Sequence, residues 1–268
     1  MEGTVLVAND DGVKAEGLWF LVGLLDSMGY NVFIATTSKP YSGAGKSITW
    51  RFKARVEDLD GFKGVVVDAT PSTAVLFALK KLKVAPDFII TGINHGANLG
   101  IEDIHTSGTF GAALEGVLQG FPSMAISKFL SGNTERIVFT REDERFLKSL
   151  IENFSLVVNN EDSMRCMPLN VNLPVGRPRG VAVTRLSMKT YDHVEFVEEA
   201  GVYSISRNTP GFYDNGLEDC NDIWAVYNSY ISVTPVCIEC LAAGKPGCFG
   251  ECGLKILAEG FADGVYCL

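Results

Sequence analysis

A short apolar run, Val5-Leu6-Val7-Ala8, stops abruptly at Asn9-Asp10-Asp11-Gly12, and this junction sets a pattern for the first half of the chain. Val5 to Val7 read as a buried strand, and Gly12 allows a sharp turn out of it. Helical periodicity follows at once, with Leu18, Leu21, Val22, Leu24 and Leu25 on one apolar face that ends near Gly29. The plan then repeats. Strands are expected at Asn31 to Ala35, Gly64 to Asp68, Asp87 to Ile90 and Ser123 to Ile126. Between them, Thr70 is expected to cap and Pro71 to start a helix with Val75, Leu76, Leu79 and Leu82 facing inward. A further helix covers Thr109 to Leu118. Such alternation calls for a Rossmann-like α/β fold, a doubly wound and mainly parallel sheet. Ligands bind such sheets beyond the carboxyl ends of the strands, which is where the polar segments of this chain fall.

The two adjacent acids constrain the chemistry. In a regular strand neighbouring side chains point to opposite faces, so Asp10 and Asp11 can share a site only where the backbone bends. Two carboxylates brought together repel unless a cation or a shared proton offsets the charge. A hard divalent ion with oxygen ligands is the simplest answer. The alternative is a plain loop in which Asp10 caps the next helix and Asp11 is solvated.

Ser107-Gly108-Thr109 stands at a helix start, where unpaired amides and the helix dipole favour an anion. It reads as a phosphate cradle, though Ser107 can serve as a cap as well. A side chain at Gly108 would fill the space where phosphate meets the backbone and is expected to spare metal affinity. Gly43 and Gly45 would let their loop fold over a substrate; Gly43-x-Gly45-Lys46-Ser47 lacks the spacing of a P-loop.

The later part reads differently. Arg141-Glu142-Asp143-Glu144-Arg145 opens a helix with Phe146, Leu147, Leu150 and Ile151 inward, its charges expected on a solvated face. From about Pro168 strands and turns dominate. Val181 to Thr184 is one strand, and Val194 to Val197 pairs with Val202 to Ser206 as a hairpin. A division into residues 1–165, the core with the active site, and residues 166–268, a β-rich extension, follows from this change.

Hydrophobic residues form 47% of the chain, which excludes a disordered polymer, and no apolar run is long enough for a membrane span. The amino terminus enters a strand directly, without the pattern of a signal peptide, so a cytoplasmic protein is expected. A formal net charge of -9 argues against a stable nucleic-acid complex. A small phosphorylated ligand held by local positive charge or metal suits it better. Cys237-x2-Cys240-x7-Cys248-x3-Cys252 has the outline of a structural zinc clip, with independent reduced thiols as the alternative. Cys166, Cys220 and Cys267 show no partner by spacing.

The motifs also stand in a recognisable order: Asn9-Asp10-Asp11-Gly12, Ser42-Gly43-Ala44-Gly45-Lys46-Ser47-Ile48-Thr49, Gly92-Ile93-Asn94-His95-Gly96-Ala97-Asn98 and Ser107-Gly108-Thr109. Over about residues 4–127 the chain resembles the SurE family of metal-dependent 5′/3′-nucleotidases. A weaker echo follows at Asn170-Val171-Asn172-Leu173-Pro174, Ile223-Trp224-Ala225-Val226 and Tyr230 to Pro235. The resemblance implies one divalent ion, such as magnesium or manganese, held by Asp10, Asp11, Ser42 and Asn94. It implies a water attacking the phosphorus of a nucleoside monophosphate, with Asp10, Asp11 and Asn9 in the catalytic group. Asn9 could equally hold the turn. Asn94, Gly43, Ser107, Gly108 and Thr109 would meet the substrate. His95 and His105 are available as proton donors without a firm assignment, and His193 lies in the later part. A homodimer or homotetramer built through the carboxyl-terminal region is implied too. Three other readings stay open: an aspartyl-phosphate phosphatase, a nucleotide-binding or sensing module without turnover, and a scaffold whose carboxyl-terminal thiolate cluster recruits a partner.

Overall fold

The computed structural model describes residues 3–130, 136–160, 167–188, 193–208, 220–237 and 265–266. Its first strand, β1 (Thr4–Ala8), lies between β2 (Asn31–Thr37) and β5 (Phe88–His95), parallel to both. A strand flanked on both sides must be apolar on both faces, and Val5, Leu6, Val7 and Ala8 are all fully buried. Alternation then sorts them. Val5 and Val7 join one core with Leu18, Leu21 and Leu25 of α1 (Glu16–Ser27) and Leu147, Leu150 and Phe154 of α5 (Arg141–Asn160). Leu6 and Ala8 join another with Ala74, Val75 and Ala78 of α2 (Pro71–Lys80) and Ala112 of α4 (Gly108–Leu118). Helices cover both faces, as the alternation predicts.

The remaining strands are β3 (Ala54–Leu59), β4 (Phe62–Val67), β6 (Ser123–Lys128), β7 (Leu169–Leu173), β8 (Gly180–Val183), β9 (His193–Glu199), β10 (Val202–Asn208), β11 (Tyr230–Pro235) and β12 (Val265–Tyr266). Two short helices, α3 (Gly100–Thr106) and α6 (Asp222–Tyr227), complete the set. Ten strands form one sheet in the order β12-β8-β11-β7-β6-β5-β1-β2-β4-β3. Only the β3–β4 and β7–β11 pairings in it are antiparallel. Because β7 pairs with β6 in parallel, the sheet passes residue 165 without a break. The expected hairpin forms as β9 and β10, a separate two-stranded sheet.

Some expectations needed revision. Strand β3 escaped notice because it is a polar, exposed edge with no apolar alternation. Strand β5 runs on to His95, carrying Asn94 at its end. Thr70 does not cap α2 with its side chain; its hydroxyl donates to the Ser47 carbonyl at 2.6 Å and meets Thr73 Oγ1 at 2.8 Å. Pro71 does occupy the first turn, where its missing N–H costs nothing.

Nor is the charged start of α5 wholly solvated. Asp143 is fully buried, and its Oδ2 accepts from Lys128 Nζ at 2.8 Å and from Thr140 N at 2.8 Å. Lys128 lies at the end of β6 and is itself buried, so neither charge can reach water if the other is removed. Lys128→Met is expected to cost about 3–5 kcal/mol in urea unfolding, because Asp143 is left as an uncompensated buried charge. Lys128→Met with Asp143→Leu should recover most of that loss.

Candidate active site

The chain leaves β1 at Asn9, whose side chain is fully buried. Its Nδ2 donates to the Gly12 carbonyl at 2.9 Å, and its Oδ1 accepts from Thr36 Oγ1 at 2.5 Å. Asn9 thus holds the turn that follows the strand. The bend lets Asp10 and Asp11 lie together. Asp10 is 4% exposed; its Oδ1 accepts from Thr109 Oγ1 at 2.5 Å. Asp11 is half-buried, and its Oδ2 accepts from the His95 backbone N–H at 3.0 Å.

Burial dominates the electrostatics. Desolvation, then repulsion by Asp11, pushes the Asp10 carboxyl from 3.8 to about 7, against the lowering effect of hydrogen bonds from Thr109. Asp11 is also raised by desolvation, against the His95 amide and the nearby His95 ring. Among the described residues no lysine or arginine forms an ion pair with either acid. Among the described residues the only positive influence on the pair is therefore the His95 ring beside Asp11.

Three connections converge on these acids. The backbone N–H of Tyr41, next to Ser42, donates to the Asp10 carbonyl at 2.8 Å, which ties the β2–β3 loop to the strand end. Ser42 and Gly43 are exposed in that loop. Asn94 comes from the end of β5; its Nδ2 donates to the Gly96 carbonyl at 2.8 Å, leaving Oδ1 without a protein partner among the described residues. The third connection is the start of α4. Ser107 caps it by accepting from Phe110 N at 3.0 Å, and the Thr109 amide and hydroxyl are directed to Asp10.

Gly108 is forced by Asp10 itself. A Cβ there would meet Asp10 Oδ2 at 2.7 Å and Asp10 Cβ at 2.9 Å. The expected reason for glycine was the approach of phosphate to the backbone; the close neighbour in the protein is the carboxylate. A side chain at Gly108 would therefore disturb Asp10 as well.

The four side chains expected as ligands, the carboxylates of Asp10 and Asp11, the Ser42 hydroxyl and the Asn94 amide, all offer oxygen. That set suits a hard divalent ion, and the repulsion of Asp10 and Asp11 is what such an ion would relieve. No group of three or more His, Cys, Asp or Glu suited to a metal occurs among the described residues. Of the suggested zinc clip, Cys237 is buried, and Cys240, Cys248 and Cys252 lie outside the described residues. Cys220 is disulfide-bonded, a pairing that spacing had not indicated. His105 is exposed, its Nδ1 at 2.6 Å from the Ile101 carbonyl within α3.

A second tier of residues, without assigned roles from sequence, fixes the segment after Asn94. Asn98 N donates to Asn172 Oδ1 at 2.8 Å, and its carbonyl accepts from Asn170 Nδ2 at 2.8 Å and Asn172 Nδ2 at 3.0 Å. Asn98 Nδ2 donates to Ser127 Oγ at 2.7 Å. Polar residues two apart in a buried strand were the available signal, since they share one face and need partners. Asp222, fully buried, accepts from the amides of Gly100 at 2.7 Å and Ser187 at 2.9 Å. Desolvation raises its carboxyl to about 6.

The model of the family described as Survival protein SurE matches residues 5–193. The chain belongs to the SurE family. A protein of Desulforudis audaxviator named 5′-nucleotidase SurE is 36% identical over 242 residues, covering 88% of this chain and 91% of that one. The 5′-nucleotidase SurE 1 of Thermus thermophilus is 34% identical over 253 residues, covering 90% and 94%. The crystal structure of the SurE protein from Aquifex aeolicus superposes with a TM-score of 0.68 at 33% identity, covering 87% of this chain and 93% of that one.

Two predictions follow from the acids. Asp10 binds a proton more tightly folded than unfolded, so in metal-stripped protein its contribution to stability falls as pH rises from 3.8 towards about 7. Asp10→Asn should flatten that part of the profile in urea unfolding with chelator and stabilise the metal-free protein at pH 8 by a few kcal/mol, on the order set by the shift. If Asp10 ligates the ion, Gly108→Ala should weaken Mn²⁺ binding, measured by calorimetry, by about tenfold or more, because the added Cβ displaces its carboxylate.

Proposed function

We propose that the protein is a divalent-metal-dependent 5′-nucleotidase, hydrolysing nucleoside 5′- and 3′-monophosphates to nucleoside and inorganic phosphate. The observation that carries this reading is the pair of adjacent, desolvated carboxylates at the end of β1, in a chain whose family relatives are named 5′-nucleotidases. Asp10, Asp11, Ser42 and Asn94 would hold the ion. When bound, the ion supplies Lewis acidity towards a phosphoryl oxygen and a more acidic water.

The side chains then divide the work. Asp10 must give up the proton that burial favours, so metal affinity rises with pH through the Asp10 range. Thr109 acts through Asp10, fixing its carboxylate with hydroxyl and amide. Gly108, Ser107 and the dipole of α4 favour the phosphate beside that carboxylate. Gly43 gives the Ser42 loop an open rim towards substrate. Asn9 shapes the turn that brings the acids together, a supporting part in catalysis.

The assembly we infer is a homodimer or homotetramer. Its support is one face of the β9–β10 hairpin, where Phe196 is 68% exposed and Ile205, directly across from it, 59%, an apolar surface suited to a second copy. No helix among the described residues is long and apolar enough to cross a membrane, and we infer a cytoplasmic enzyme.

The test is phosphate release from a panel of nucleoside monophosphates by metal-stripped protein, with Mg²⁺ and Mn²⁺ added in turn. Asp11→Asn should lower turnover by about a thousandfold, with high metal restoring part of it, since several kcal/mol of transition-state stabilisation depends on the ion. Tight nucleotide binding without release under any metal would instead identify a sensor. Trapping of a phosphorylated Asp10 would identify an aspartyl-phosphate mechanism.

A further inference from the structure

The loop between β2 and β3 carries Ser42 next to Tyr41, whose amide meets the Asp10 backbone, and a loop of this kind loses considerable entropy when held in one conformation. Hydrogen bonds hold it at several points. Tyr41 N donates to the Asp10 carbonyl and Gly45 N to the Thr106 carbonyl, both at 2.8 Å. Thr49 N donates to Thr73 Oγ1 at 2.8 Å. Lys46 lies between these anchors, with its Nζ 2.7 Å from Glu115 Oε2 on α4.

Glu115 is 3% exposed, and its Oε1 accepts from Gln119 Nε2 at 2.7 Å. A carboxylate so enclosed cannot turn out to water, so it requires its cation. Lys46 supplies that charge from the loop while its own side chain stays 31% exposed. Packing beside the pair is backbone on backbone. A Cβ at Gly111 would meet the Gly45 carbonyl oxygen at 2.7 Å and Lys46 Cα at 2.8 Å. A Cβ at Gly45 would meet the His105 carbonyl oxygen at 2.6 Å.

We propose that the Lys46–Glu115 ion pair is the latch that presses the Ser42 loop onto α4 and so sets how tightly the site holds its divalent ion. Lys46 is then a positioning residue, and its ammonium serves Glu115 in preference to substrate phosphate. The inference rests on the nucleotidase reading for the part played by Ser42. Opening the latch lets water replace the Ser42 hydroxyl, while Asp10 and Asp11 keep their own anchors. Metal affinity falls, and turnover at saturating metal survives.

The experiment is a Mn²⁺ titration of the whole protein, followed by the electron paramagnetic resonance of free Mn²⁺, with phosphate release from nucleoside monophosphates measured across the same metal range. Lys46→Met and Glu115→Gln should each weaken Mn²⁺ binding by about tenfold, the scale of an outer-sphere partner, with kcat at saturating Mn²⁺ nearly unchanged. Lys46→Arg, which keeps the charge, should restore most of the affinity. Folded Lys46→Met and Glu115→Gln proteins with wild-type Mn²⁺ affinity would overturn the latch and leave the nucleotidase reading intact. If Lys46→Met does not fold, Glu115→Gln decides, because its amide fills the same space and Lys46 is free to turn to solvent. A wild-type protein that neither binds Mn²⁺ nor releases phosphate would fail the nucleotidase reading instead. Hydrogen exchange of the amides of residues 42–49 without metal then decides the latch: faster exchange in Glu115→Gln upholds it, and unchanged exchange refutes it.

Discussion

A carboxylate taken almost wholly out of water must be answered by hydrogen-bond donors, a proton or a cation, and Asp10 stands in that position at the end of the central strand. Thr109 answers one of its oxygens from the start of α4, and Gly108 lacks a side chain so that the other can fit. Asp11 adds a second negative charge close by. Much of the surrounding structure can be understood as the means of holding these two groups together. The sheet supplies a rigid edge, the turn at Asn9 supplies the bend, and α4 supplies oriented donors.

The loops beyond that edge are tied from distant parts of the chain. Asn98 is held by Asn170 and Asn172 of β7, and Gly100 by Asp222 at the start of α6. The Ser42 loop is held by Asp10, Thr106, Thr70 and Thr73. Each tie sets a backbone group against a partner from elsewhere in the chain, so the shape of these loops depends on contacts distant in sequence. Described residues of the later half thus tie loops of the first half in place. Strand β7 continues the sheet and also supplies the amides that fix the segment after Asn94.

Alternation of strand and helix in the first half was legible because each strand is buried on two faces and each helix on one, so hydrophobicity alone carries the signal. The edge strand β3 and the short helix α3 were not legible, since neither presents an apolar period. Asp143 was misjudged for a related reason. A charge at a helix start resembles any solvated charge until the folded chain brings Lys128 against it. Thr70 similarly had a suitable type and place for a cap, yet a loop from elsewhere in the sequence claimed its hydroxyl.

Legible in the sequence were the doubly wound architecture, the family, and the place of Asn9, Asp10 and Asp11 just beyond β1 and of Ser107 to Thr109 at the start of a helix. These depend on local periodicity and on short ordered motifs, which survive as patterns along the chain. Only the tertiary structure decided which partners those groups have. It directed Thr109 to Asp10, gave Asn9 to the turn, set Gly108 against a carboxylate and brought Lys46 to Glu115. Such pairings join residues far apart in sequence, and burial and charge act through distance in space, which residue order does not encode locally.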